Sequence, residues 1–131
     1  MGAIVVKPAY LLDSTILVDH LRGVGPATKW LETLREGEAV ISAITRAEVM
    51  TGGSGDERAA AFDLSEQFAC LALTKESADH AAELRRKHRW KLPDAFQAAL
   101  AIEQGLRLVT RNSRDFDERT YSFVLIPYRV R

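Results

Sequence analysis

The chain has 131 residues, the size of a single domain, and 47% of them are hydrophobic, enough to build a buried core. Its 18 basic residues balance 18 acidic ones, so overall charge does not draw the protein onto a polyanion. Any contact with nucleic acid must therefore come from a local surface. The one cysteine excludes an internal disulfide framework.

Short apolar segments alternate with segments of helical periodicity along the whole chain. The predicted strands are residues 10–13, 38–42, 70–73, 106–110 and 123–126. The predicted helices run from the cap Ser14 to about Leu21, from Pro26 to Gly37, through Thr45 and Glu48 to Gly52, from Asp56 to Gln67, from the cap Thr74 to about His88, and from Pro93 to Gln104. This alternation predicts one α/β domain over residues 1–131, a mainly parallel sheet flanked by helices.

The absence of a leader pattern and of a membrane-span pattern predicts where the protein is located in the cell. We find no basic-then-apolar leader and no apolar run near the roughly 20 residues of a membrane span, so we expect a soluble cytoplasmic protein with no membrane partner. A single cysteine agrees with a reducing compartment. The apolar neighbours of Cys70 predict that it is a small core residue on a buried strand.

Four acidic residues stand where a parallel sheet would bring them together. They follow a predicted strand directly or lie early in the helix or loop after one: Asp13, Glu48, Asp94 and Asp115. Because the carboxyl ends of parallel strands share one edge, we expect all four side chains to project toward one crevice.

Carboxylates gathered in this way predict a divalent cation. They repel one another and lose hydration, so some would take up protons unless Mg²⁺ or Mn²⁺ were present. The three histidines and Cys70 do not show zinc-ligand spacing. Metal-dependent phosphodiester hydrolysis is the chemistry that this set of ligands favours. Repulsion also predicts that Asp13→Ala or Asp94→Asn abolishes cleavage and is neutral or stabilising without metal.

Each acid also has an ordinary structural interpretation. Asp13 suits an Asx turn or a helix cap, Glu48 suits a capping box with Thr45, and Asp94 suits the positive end of a helix dipole. Asp115 suits a turn. The coincidence of four such residues at one predicted edge favours a site.

Four segments of the chain, in order, resemble the successive motifs of VapC-type toxins of the PIN-domain ribonuclease family. They are LLDSTIL at 11–17, ISAITRAEV at 41–49, LPDAFQAALA at 92–101 and LVTRNSRDF at 108–116. The resemblance implies a three-layer PIN-like fold, Mg²⁺- or Mn²⁺-dependent endoribonuclease activity, a VapB-like antitoxin partner and a homodimer. It is specific because four weak motifs occur in register over nearly the whole chain.

Carried over by position, the resemblance makes Asp13, Glu48, Asp94 and Asp115 catalytic. The metal ligands are then Asp13, Asp94 and Asp115, and the accessory polar groups are Ser14, Thr110 and Asn112. Many members of the family have an aspartate where this chain has Asn112, and the neutral amide predicts a weaker second metal position. Arg111 and Arg114, on either side of Asn112, are the candidates for holding RNA.

Two other features have ordinary interpretations that compete with functional ones. The basic residues of 85–91 suit the negative end of a helix, although phosphate contact beside Asp94 is an alternative. Trp30 with Leu17 and Leu21 is typical of core packing, although an antitoxin groove is an alternative.

Other functions remain open at this stage. A PIN-like module that binds metal or a partner without turnover is one, and Asn112 keeps it open. A phosphotransfer enzyme of the haloacid-dehalogenase class is another, but it requires a second aspartate where this chain has Thr15. A receiver domain is disfavoured because no acidic pair precedes the first strand. The RNA cleaved and the identity of the antitoxin are not encoded in any motif.

Overall fold

A computed structural model describes residues 6–129 as five parallel strands and six helices. The strands are β1 (Tyr10–Leu12), β2 (Ala39–Ser42), β3 (Ala69–Leu71), β4 (Arg107–Val109) and β5 (Val124–Leu125). The helices are α1 (Ser14–Leu21), α2 (Gly25–Glu32), α3 (Ala43–Met50), α4 (Gly55–Ser65), α5 (Lys75–His88) and α6 (Leu92–Gln104). The predicted α/β class and parallel sheet are confirmed, and the strands are shorter than predicted.

The strand order is β3-β2-β1-β4-β5. The chain builds outward from β1 through β2 to β3, then returns to the other side of β1 for β4 and β5. The reversal falls between β1 and β4, where Leu12 pairs with Val109. In such sheets the crevice at the carboxyl ends of the strands flanking the reversal is the usual ligand site.

Alternate residues of the strands enter two separate cores, because successive side chains of a strand point to opposite faces. Leu11 and Leu108 pack with residues of α6, among them Ala98 and Leu100, on one face. Their neighbours Leu12 and Val109 pack on the other face with residues of three helices: Ile16 and Leu17 of α1, Val49 of α3, and Ala61 and Leu64 of α4. The sheet is therefore the middle layer of three.

Two predictions about single residues need correction. Cys70 is exposed, because β3 pairs only with β2 and forms one edge of the sheet. Ser14 is the first residue of α1, and Asp13 occupies the capping position. Core packing, the favoured interpretation of Trp30 and Leu17, is confirmed, because Leu17 is fully buried and Trp30 packs against the same core. Leu21 is 37% exposed, so the alternative, one groove formed by all three residues, is wrong.

No helix within residues 6–129 combines the length and the apolar character that a bilayer crossing requires.

Candidate active site

Asp13 lies at the carboxyl end of β1 and is 8% exposed. Although it occupies the capping position of α1, its carboxylate makes no capping hydrogen bond. Instead, Oδ2 accepts hydrogen bonds from the hydroxyls of Thr15 at 2.8 Å and Thr110 at 2.9 Å. Oδ1 has only a long contact with Gln97 Nε2, at 3.4 Å. The carboxylate is thus held in a fixed orientation and keeps acceptor capacity on Oδ1.

Gln97 was not among the predicted site residues, but it joins the segments that build the site. It is 1% exposed and lies one turn after Asp94 on α6. Its Nε2 donates to Thr45 Oγ1 at 2.6 Å, and its Oε1 accepts from Ser42 Oγ at 2.7 Å. A glutamine in the apolar sequence of α6 was the available signal, because a buried amide is costly unless it is hydrogen-bonded.

Glu48 projects from α3 toward α1, where Ser14 Oγ donates to its Oε1 at 3.0 Å. The capping-box interpretation of Glu48 is wrong, because Ser42 caps α3 and accepts a hydrogen bond from the backbone N–H of Thr45. Burial raises the pKa of Glu48, and the nearby charge of Asp13 raises it further, while the Ser14 hydrogen bond opposes both effects. Glu48 is therefore within electrostatic range of Asp13.

Asp94 lies in the first turn of α6, where a helix dipole would normally lower its pKa. Burial instead raises the pKa of Asp94 from 3.8 to about 6, and the charges of Asp13, Asp115 and Glu48 contribute in that order. Only the charge of Lys91 acts in the opposite direction. The four predicted acids thus share one negative environment, and the charges of the other three all act on Asp94.

Asp115 and Asn112 form a local pair in the loop after β4. Asn112 Nδ2 donates to Asp115 Oδ2 at 2.9 Å, and the backbone N–H of Asp115 donates to Asn112 Oδ1 at 3.3 Å. The backbone N–H of Asn112 donates in turn to Thr110 Oγ1 at 3.0 Å. The Asn112 amide is engaged in shaping the loop that carries Asp115, an exposed residue.

Comparisons with known proteins identify the family. The PIN domain family model matches residues 10–120. Ribonuclease VapC10 of Mycobacterium tuberculosis H37Rv is 35% identical over 108 residues, covering 78% of this chain and 81% of that protein. This chain is a VapC-type member of the PIN-domain family. A toxin–antitoxin complex from Klebsiella pneumoniae contains a chain 31% identical, with a TM-score of 0.84 and coverage of 93% and 100% of the two chains. FitAcB from Neisseria gonorrhoeae, 23% identical, has the same fold with a TM-score of 0.72 and coverage of 90% and 97%.

The two arginines predicted to contact RNA lie in different settings in this VapC-type protein. The Arg111 guanidinium donates to both carboxylate oxygens of Asp19, at 2.6 and 3.2 Å, and Tyr128 also donates to that carboxylate. The backbone N–H of Arg111 donates to Thr15 Oγ1 at 3.1 Å. Arg114 is exposed and makes no side-chain hydrogen bond or ion pair within residues 6–129. An RNA contact stays a prediction for Arg111 and Arg114. Arg111 already pairs with Asp19 within the fold.

The donor set of this PIN domain fits Mg²⁺ or Mn²⁺ through hard carboxylate oxygens. Asp94 accepts no side-chain hydrogen bond from the described residues, and Asp13 keeps capacity on Oδ1. No three carboxylate, histidine or cysteine side chains among residues 6–129 are close enough to hold one ion together. Since these ions usually bind one or two carboxylates and retain several waters, the arrangement suits a partly hydrated ion.

Proposed function

We propose that this PIN-domain protein is the ribonuclease toxin of a toxin–antitoxin pair, hydrolysing RNA phosphodiester bonds with Mg²⁺ or Mn²⁺. The observation that carries the proposal is the convergence of four acids from separate segments at one edge of the sheet, where burial and the charges of the other three raise the pKa of Asp94. Such a cluster is unfavourable for the fold and repels a phosphodiester. A divalent cation would neutralise the repulsion between the acids and the repulsion of the phosphodiester, so the acids are best explained as a metal-binding site.

The proposed metal ligands are Asp13, Asp94 and Asp115, with at most two of them bound directly to one ion and the third bound through a coordinated water. The bound ion would supply charge neutralisation at the phosphate and a lower pKa for a coordinated water. Thr110 and Thr15 orient Asp13, and this orientation does not depend on the ion.

Glu48 is the proposed proton acceptor for the attacking water. Its raised pKa makes it a better base than an ordinary exposed carboxylate, and Ser14 holds it on the side of the crevice that α3 provides. Attack by water on phosphorus, with breakage of the bond to the 3′ oxygen, leaves a 5′-phosphate and a 3′-hydroxyl.

Cleavage of mixed cellular RNA by purified protein tests the proposal. We expect cleavage with Mn²⁺ or Mg²⁺, none with a chelator, and 5′-phosphate ends on the products. Asp94→Asn should abolish it, and Asp79→Asn, an exposed acid on α5, should not. Equal cleavage by Asp94→Asn would identify a contaminating nuclease. Metal binding without any cleavage would favour a non-catalytic PIN-like module.

The partner we propose is a VapB-like antitoxin that covers the crevice. A groove of about 260 Å³ between α1, α3 and α4 has a mixed lining, in which the apolar side chains of Leu21 and Val49 lie beside the charged Glu48. Leu21→Glu should weaken inhibition by the antitoxin and preserve cleavage. Ile102→Glu, at a similarly exposed position on α6, is the matched control. Equal inhibition of both variants would place the antitoxin elsewhere.

A homodimer remains a prediction from the family. Light scattering on the purified chain tests it directly, and a monomer at micromolar concentration would contradict it.

A further inference from the structure

Trp90 connects the two segments that carry Asp94 and Asp115. It lies in the short connection between α5 and α6 and is 5% exposed. Its indole Nε1 donates a hydrogen bond to the backbone carbonyl of Asp115 at 3.1 Å. Within residues 6–129, this is the only side-chain hydrogen bond from the α5–α6 region to the loop 111–117.

The backbone around Trp90 is itself fixed on the α5 side. Arg89, at the end of α5, adopts the left-handed conformation with φ 61°, which is uncommon for a residue other than glycine. Arg85 Nη1 donates to the carbonyl oxygen of Trp90 at 2.6 Å. The ring of His88 stacks on the indole with centroids 4.2 Å apart and an interplanar angle of 17°. Contacts with α5 therefore fix the position of the indole that donates to the loop.

The indole also packs against the residue that follows Asp115. The Phe116 ring is 1% exposed, and its centroid lies 4.8 Å from that of Trp90. Tyr121 contacts Trp90 edge-on at 5.2 Å. The backbone of Asp115 is thus held by the indole N–H at its carbonyl and by aromatic packing at the next residue.

We propose that Trp90 is a positioning residue that fixes Asp115 relative to Asp94. Asp94 follows Trp90 by four residues in the chain. This inference rests on the proposed function, in which both acids hold a divalent ion. The side chain of Asp115 is exposed, and Asn112, its only side-chain hydrogen-bond partner in the described residues, lies in the same loop. Trp90 supplies the hydrogen bond that ties this loop to the α5–α6 region.

Replacing the indole of Trp90, beside a control replacement of another packed tryptophan, distinguishes a positioning role from a role in packing alone. Trp90→Phe keeps an aromatic ring in the core and removes only the N–H donor and part of the ring. We expect Mn²⁺ affinity, measured by calorimetry or electron paramagnetic resonance without RNA, to fall about ten-fold, as for other groups that orient metal ligands. The matched control is Trp30→Phe, since Trp30 packs against Tyr10 at the start of β1, the end of that strand away from Asp13.

Tryptophan fluorescence gives a second readout in a protein where Trp90 is untouched. The chain has two tryptophans, so Trp30→Phe leaves Trp90 as the only one. We expect Mn²⁺ to change its emission at the concentrations at which the ion binds, and Mg²⁺ in parallel separates paramagnetic quenching from a change in environment. Trp90→Phe, which leaves Trp30, should show no change.

The outcomes separate this inference from the proposed function. If folded Trp90→Phe binds Mn²⁺ and cleaves RNA as the parent does, the positioning role is refuted and the ribonuclease assignment stands. A parent that binds Mn²⁺ but cleaves no RNA refutes the ribonuclease assignment, and a ten-fold loss of affinity in Trp90→Phe still supports the positioning role. The positioning role is also overturned if bound Mn²⁺ does not change the Trp90 emission of Trp30→Phe. The same holds if Mn²⁺ changes the emission of Trp30 and of Trp90 equally.

Discussion

Asp94→Asn should make the metal-free protein more stable at neutral pH. The pKa of Asp94 is raised from 3.8 to about 6 by burial and by its acidic neighbours. A pKa difference of about 2 corresponds to about 3 kcal/mol, and solvent screening of this half-buried carboxyl reduces that figure. We expect the free energy of unfolding to rise by about 1 to 2 kcal/mol, which raises Tm by roughly 3 to 8 °C.

The pH dependence of this gain has a definite sign. The folded protein binds the Asp94 proton more tightly than the unfolded chain does, so ionisation of Asp94 opposes folding. The penalty is complete above the folded pKa of about 6 and disappears as pH falls from about 6 toward 4. The advantage of Asp94→Asn should therefore be largest near pH 7.5 and small near pH 4.

Thermal unfolding of parent and variant at several pH values, without and with Mn²⁺, checks this reasoning. Asp79→Asn has the same change in net charge at an exposed position on α5 and should shift Tm little. Mn²⁺ should stabilise the parent by binding the folded form, by about 2.7 kcal/mol at a hundred times Kd, and should stabilise Asp94→Asn less. A variant no more stable than the parent at pH 7.5, or an advantage that does not depend on pH, would refute electrostatic crowding at Asp94.

Other predictions address the groups around the site. Gln97→Leu should lower the free energy of unfolding by about 2 kcal/mol or more in chemical denaturation, because buried hydroxyls lose their partner; an unchanged midpoint would contradict this. Arg111→Ala should lower Tm through loss of the Asp19 pair and raise KM for RNA; a lower Tm with unchanged KM would make Arg111 a structural residue only. Lys91→Gln should raise KM for RNA more than Lys75→Gln at the other end of α5, because the charge of Lys91 acts on Asp94; equal effects would support a merely solvated basic run. Cys70 should react with a thiol reagent in the native protein within minutes, and protection until unfolding would show that β3 is covered.

Hydrogen bonding changes one expectation that came from charge repulsion alone. From the sequence, Asp13→Ala and Asp94→Asn were expected to behave alike without metal. The carboxylate of Asp13, however, accepts hydrogen bonds from Thr15 and Thr110 in a nearly closed environment. Removing it leaves the buried Thr110 hydroxyl without that partner, so we now expect Asp13→Ala to be destabilising.

The amino-acid pattern alone predicts the order of strands and helices, the parallel sheet and the family. These follow from short-range signals: apolar periodicity, the capping residue Thr74, the stop at Gly105 and four motifs in register. A parallel sheet also predicts that residues after its strands meet at one edge, so the sequence alone predicts the acidic cluster.

The hydrogen-bond partner of each site side chain is known only from the folded protein. Glu48 bonds to Ser14 and not to its helical neighbour Thr45, Arg111 is taken by Asp19, and Trp90 reaches the backbone of Asp115. The physical reason is that these contacts join residues 25 to 92 positions apart in the chain, and no local periodicity specifies them. The exposure of Cys70 has the same origin, because strand order, not the residues of β3, makes that strand an edge.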